Sequence, residues 1–110
     1  MALSPGPVLE ETAARFALLG DPTRLHLLNV ILERRECTVG ELAAAVNISA
    51  ANASQHLRKL AIGGVLGRRR AGHQVHYRLV EATIEQLCEI VCSSVEARAS
   101  VLSPSDVGQR

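Results

Sequence analysis

A mainly α-helical domain with one β-hairpin is predicted by three observations. Apolar residues recur at helical spacing in successive stretches, capping residues separate those stretches, and Gln74–Val80 alternates apolar with polar residues at the period of a strand. At 110 residues and 47% hydrophobic content the chain is the size of a single domain with one small core, and help from a partner subunit would suit it.

Residues 1–7 hold two prolines and a glycine and are expected to form a flexible arm ahead of a domain at 8–102. Leu9, Ala13, Phe16 and Ala17 then recur at helical spacing, a first short helix that Gly20 stops. Asp21 can cap the next helix and Pro22 suits its first position, so a second helix is predicted over about 22–35. Its apolar Leu25, Leu28, Val30, Ile31 and Leu32 suggest a mostly buried element, with His26 a hydrogen-bonded core residue. Thr38-Val39-Gly40-Glu41 fits a capping box and opens a third helix to about Val46. Asn47 tolerates the left-handed conformation that ends it, and Ser49 caps a fourth helix to about Ile62, where Gly63-Gly64 stops it. Two helices across so short a link make a helix-turn-helix, about 38–62.

Val65–Arg70 and Gln74–Val80, separated by Ala71-Gly72-His73, read as a β-hairpin within about 65–80. In the last helix, about 81–102, Ile84, Leu87, Cys88, Val91 and Val95 form one stripe, while Glu81, Glu85, Glu89 and Glu96 take other faces. That stripe has little to pack against in so small a domain, which points to a second copy of the chain. The polar segment 103–110 is expected to be a disordered tail. No apolar run approaches the roughly 20 residues of a membrane span, and the amino terminus lacks signal-peptide features, so a soluble, cytoplasmic protein is expected. Three cysteines do not make a paired disulfide framework and suit a reducing compartment.

Charge is segregated. From Leu42 to Val80 there is no Asp or Glu, yet Arg58, Lys59, Arg68, Arg69, Arg70 and Arg78 fall there, a pattern hidden by the net charge of +1. Such a block suits a polyanion. With aromatic content of 2%, no stacking platform for single strands exists, so double-stranded DNA is the favoured partner. A nuclease would need acids clustered for metal-assisted hydrolysis, and the block has none; no catalytic triad or phosphate-cradling loop is seen, so the chain is not read as an enzyme.

The order of elements is that of a winged helix-turn-helix. The segments Phe16-Ala17-Leu18-Leu19-Gly20-Asp21-Pro22-Thr23-Arg24-Leu25, Val39-Gly40-Glu41-Leu42-Ala43, Asn52-Ala53-Ser54-Gln55-His56-Leu57-Arg58-Lys59-Leu60 and Gly72-His73-Gln74-Val75-His76-Tyr77-Arg78-Leu79 carry a more specific likeness. Over about 16–80 the chain resembles the ArsR/SmtB family of bacterial dimeric transcriptional repressors. The resemblance implies a homodimer through the first and last helices, engaging Phe16, Ile84, Leu87, Val91 and Val95. It also implies a fourth helix in the major groove, with hairpin wings flanking the DNA.

On the fourth helix Asn52 and Gln55 are candidates for pairing with adenine, and Ser49, Ser54 and Arg58 for polar or phosphate contacts. Ala53, Leu57 and Leu60 fall on its inward side, and His56 is either a phosphate donor or a boundary residue against the third helix. On the wing, Arg68, Arg69, Arg70, His73 and Gln74 are candidates for backbone contact, or else a solvated edge that resists aggregation. Strand alternation sends Arg69 to the face opposite Arg68 and Arg70, so the three are not all expected on DNA. Four phosphate contacts per subunit would give a dimer a log–log salt slope of about −7.

Effector chemistry is less defined. Against the family's thiolate motif, Thr38-Val39-Gly40 replaces both thiol positions, and its last-helix site aligns with Glu81, Thr83, Ser94 and Ala97, of which only Glu81 is a ligand type. Cys88 and Cys92, one turn apart, could chelate a soft ion or undergo oxidation, although two small core residues near the dimer seam are the plainer reading. His73 and His76 point to opposite sides of a strand and suit DNA better than a metal. The expectation is a DNA-binding regulator, a repressor, with degenerate metal sites. Its effector would be a weakly bound transition metal (Ni or Zn), thiol chemistry or a regulatory partner protein. A non-specific architectural DNA-binding module and a metal-buffering protein are the alternatives.

Overall fold

The structure is a computed structural model that describes residues 2–102, so the expected tail at 103–110 lies outside the described residues. The chain divides into two compact units, Met1–Val80 and Glu81–Arg110.

In the first unit, α1 (Gly6–Leu19) begins beside Pro5 and Pro7, two residues ahead of the expected start of the domain at residue 8. Proline at a first helical turn gives up no hydrogen bond that the helix would have made. Gly20 closes α1, its N–H donating to the Ala17 carbonyl at 3.3 Å. The next helix, α2 (Pro22–Arg34), starts one residue after its cap: the Asp21 carboxylate accepts from the Arg24 N–H at 2.9 Å. Arg24 also explains why an arginine belongs here. Its Nε donates to the Leu18 carbonyl at 2.8 Å, so a residue of α2 satisfies a carbonyl left open at the end of α1.

Burial on α2 falls on Leu27, Leu28 and Ile31, spaced for one face. The expectation of a mostly buried helix is corrected: Leu25 is 41% exposed, Val30 and Leu32 are half-buried, and His26 is exposed rather than in the core. Arg35 ends α2 at φ 79°, its N–H bonded to the Ile31 carbonyl.

A short strand follows that the sequence did not suggest, β1 (Glu36–Thr38). The hairpin strands are β2 (Leu66–Ala71) and β3 (Gln74–Leu79), and the three form an antiparallel sheet in the order β1-β3-β2. The register places Cys37 and Arg68 on either side of Tyr77, and Thr38 and Arg69 on either side of His76. At the hairpin tip, Gly72 at φ +64° supplies the positive φ that a two-residue turn requires.

Thr38 passes the chain from strand directly into α3 (Val39–Val46). Its hydroxyl accepts from the Glu41 N–H at 3.1 Å while the Glu41 carboxylate accepts from the Thr38 N–H at 2.9 Å, the expected capping box. Asn47 ends α3 in the left-handed conformation, φ 64° and ψ 51°, and Ser49 caps α4 (Ala50–Ile62). Gly63 then lets the end of α4 approach α1: a Cβ there would lie 2.2 Å from Leu18 Cδ1.

The core of this unit joins Leu27, Leu28 and Ile31 of α2 to Leu42 of α3, Leu57 and Leu60 of α4, Val65 and Tyr77, all at most 1% exposed. Burying each large aliphatic side chain contributes about 1.5–3 kcal/mol before conformational entropy is subtracted.

The second unit is α5 (Ala82–Leu102), 21 residues and thus about 31 Å long. No helix among the described residues is long and apolar enough to cross a membrane.

Candidate nucleic-acid interface

The helix-turn-helix positions α4 by its inner face. Ala53, Leu57 and Leu60 are each 0% exposed, and α4 packs on α2, α3 and β2. The opposite face is therefore turned outward: Asn52, Gln55, Arg58 and Lys59 are exposed, with Ser54 half-buried at its margin. Amides and cations in one exposed stripe can both accept and donate at base edges and pair with phosphates. Lys59 belongs to this stripe and joins the candidates that spacing alone suggested. Ser49 is exposed, but its oxygen accepts from the Asn52 N–H at 3.0 Å, so its first role is to cap the helix.

His56 sits elsewhere. It is half-buried and lies against the start of α2: its Nδ1 is 3.4 Å from Arg24 Nη1 and 3.8 Å from the Asp21 carboxylate. The ring is thereby part of the junction that joins α1, α2 and α4. Asp21 is held below the usual carboxylate range first by the Arg24 N–H, and also by the nearby charges of His56 and Arg24. Neither Asp21 nor Arg24 was singled out as a neighbour of α4 from sequence.

On the wing, Arg68, Arg69, Arg70, His73 and Gln74 are all exposed, but their surroundings differ. Arg68 lies with its guanidinium 6.0 Å from the centre of the Tyr77 ring, and Arg70 is opposite Val75 further out on that face. Arg69 points to the other face and reaches across β3 to β1. Its Nε and Nη2 donate to the two oxygens of Glu36, each at 3.0 Å. This fork keeps Glu36 below its usual range and raises Arg69. Of the three arginines, then, Arg69 is committed to a carboxylate, a role absent from the expectation of backbone contact.

The candidate metal ligands lie on or beside α5. Cys88 is half-buried and Cys92 exposed on α5, one turn apart as expected. Burial pushes the Cys88 thiol up, with a further push from Cys92, and burial also raises Cys37. A raised thiol is a weaker nucleophile than a free cysteine. Glu81 accepts a hydrogen bond from the Thr83 hydroxyl. Among the described residues no group of three or more His, Cys, Asp or Glu is placed to hold a metal ion. His26 lines an open cleft with Asn29, Val30, Ala45 and Val46, where no second ligand type joins it.

Of the residues expected at a dimer seam, Phe16 is 54%, Val91 50% and Val95 61% exposed, and Leu87 is half-buried. Ile84 differs. It is 2% exposed.

Comparison with known proteins places these features in context. The model of the bacterial regulatory protein arsR family matches residues 21–64. The arsenic resistance transcriptional regulator ArsR1 of Pseudomonas putida is 32% identical over 100 residues, spanning 86% of this chain and 78% of that protein. Among solved structures, the AntR antimony-specific transcriptional repressor superposes with a TM-score of 0.83 at 28% identity, covering 91% of this chain and 90% of that one. The homodimeric winged helix-turn-helix DNA-binding domain Mb0332 of Mycobacterium bovis, described as a possible ArsR-family regulator, gives a TM-score of 0.74 at 26% identity, covering 87% of this chain and 91% of that one.

Proposed function

The chain belongs to the arsR family of bacterial regulatory proteins, and from that premise we propose that it is a homodimeric, sequence-specific repressor of transcription in the cytoplasm. The observation that carries this reading is the two-sided α4: a fully buried Ala53, Leu57 and Leu60 seam opposite exposed Asn52, Gln55, Arg58 and Lys59. In the family's mode of binding that stripe enters the major groove, where Asn52 and Gln55 read base edges. Arg68 and Arg70 neutralise phosphates from the wing. No acid between Leu42 and Val80 opposes the DNA along these elements.

Dimerisation covers apolar surface that one chain leaves open. Phe16 on α1 and Ile90, Val91 and Val95 on α5 are all at least half exposed. Exposed apolar residues on both helices suit a self-complementary interface. Among the described residues of one chain no three ligand types are gathered for a metal ion, so a regulatory partner protein is the favoured source of control.

The test is sedimentation equilibrium joined to anisotropy of a labelled duplex from upstream of the protein's own gene, with Ni(II), Zn(II) or no metal. A dimer that binds this duplex equally with and without metal is the expected result. Phe16→Asp and Val91→Asp should each yield a monomer that binds the duplex weakly. A stable wild-type monomer, or release from DNA by either metal, would overturn the corresponding part of the reading.

A further inference from the structure

Glu36 is the only acid in the three strands of the sheet, and its setting is unusual for a surface carboxylate. Arg69 reaches it from β2 across the whole of β3 with two hydrogen bonds of 3.0 Å. His76 and Arg78, from β3 between them, also act on it by their charge. On this same face a Cβ at Gly67 would lie 3.6 Å from Arg78 Cζ, so the Arg78 guanidinium rests over the glycine beside the pair. One carboxylate thus sits among the cations of an otherwise basic wing.

A guanidinium donates to a carboxylate in the same two-pronged geometry that it uses for a phosphate. Resting on the DNA-binding reading above, we infer that Glu36 is an internal stand-in for phosphate: it holds Arg69 on the face opposite Arg68 and Arg70, and because β2 is the edge strand of the sheet, an Arg69 released from it can turn round that edge to the backbone those two arginines meet, so one contact per wing is withheld. Sheet pairing supports this role. Glu36 is opposite Arg78 and Arg69 opposite His76, so the backbones on both sides of the fork are fixed by β3 before any DNA arrives. An exposed ion pair between two flexible side chains contributes little, but a bidentate pair held by a sheet loses less freedom on forming. Phosphate contacts carry no sequence information, so the withheld contact weakens binding to specific and random duplexes alike. A repressor gains from this, because weaker electrostatic attraction shortens its stay at the many non-specific sites it must leave.

The test compares the salt dependence of wild type, Glu36→Gln, Arg69→Ala and the Glu36→Gln/Arg69→Ala double variant. Each is titrated against the upstream duplex and a scrambled one, after thermal melts confirm folding. Freeing one arginine per protomer should steepen the log–log slope of the Glu36→Gln dimer by about 1.8, so a fourfold dilution of salt strengthens it about tenfold more than wild type. The gain should be equal on both duplexes, vanish in the double variant, and be matched by a wild-type slope in Arg69→Ala alone. An unchanged slope in Glu36→Gln overturns the inference. So does a steepening that survives in the double variant, since charge alone would then explain it, and so does a flattened slope in Arg69→Ala, since Arg69 would then already touch DNA. A wild type with no salt-dependent binding to either duplex fails the DNA reading itself, and the inference with it.

Discussion

Leu57→Ala separates the inner face of α4 from the outer one. Leu57 is 0% exposed and lies one turn from Ala53 and Leu60 on the buried seam. Truncation removes three carbons, a transfer loss of about 2.4 kcal/mol at about 0.8 kcal/mol each. The space left behind, between helices that are held by a capping box and two further caps, closes only in part, so a total of about 3–4 kcal/mol is expected. Set against the roughly 5–15 kcal/mol of a domain this size, that is a large share. Urea unfolding followed by circular dichroism measures it, at one fixed protein concentration because dimer formation is linked to folding. The folded fraction should keep its base preference, since Asn52 and Gln55 lie on the opposite side of the helix. A loss below about 1 kcal/mol would refute the packing argument for α4, and an altered preference in a stable variant would refute the division of its faces.

Gln55→Ala should do the reverse, relaxing base preference with the salt slope and melting temperature nearly unchanged, as competition between duplexes would show. Thr38→Val keeps the shape of a buried residue but removes the hydroxyl that caps α3, and thermal melts should show a loss of about 1 kcal/mol, or about 4 °C. Asp21 is depressed below the ordinary 3.8, so its stabilising contribution is complete above that value and is lost as pH falls through and below it. Acid melts of wild type and Asp21→Asn should therefore converge below about pH 4, and a gap that stays constant would remove the Asp21 cap from the account.

Much of this fold is written locally. Asp21-Pro22, Thr38 with Glu41, Asn47 and Ser49 mark the helix ends because each acts on backbone groups within a few residues, and the structure uses each as expected. What escaped detection depends on distant partners. Glu36–Thr38 is too short to show a period, and it becomes a strand only because β3 offers it an edge. Alternation separates Arg69 from Arg68 and Arg70, but its partner Glu36, 33 residues earlier, is brought beside it only by the sheet. His26 was placed inside because apolar residues surround it in sequence, whereas burial follows Leu27, Leu28 and Ile31 and leaves it outside. For the candidate interface, spacing located the α4 stripe but not the setting of His56, since the angle between α4 and the start of α2 is not a local property.

The most direct measurement is the affinity of the purified protein for the duplex upstream of its own gene against a scrambled duplex, by anisotropy across a range of salt, with Arg68→Ala/Arg70→Ala alongside. The account predicts a preference of roughly 10³ or more and a steep slope, near −7 or shallower by the contact that Glu36 withholds, which the double variant flattens on both duplexes. Equal affinity for the two duplexes would contradict sequence-specific regulation, and a slope indifferent to Arg68 and Arg70 would take the wing off the DNA.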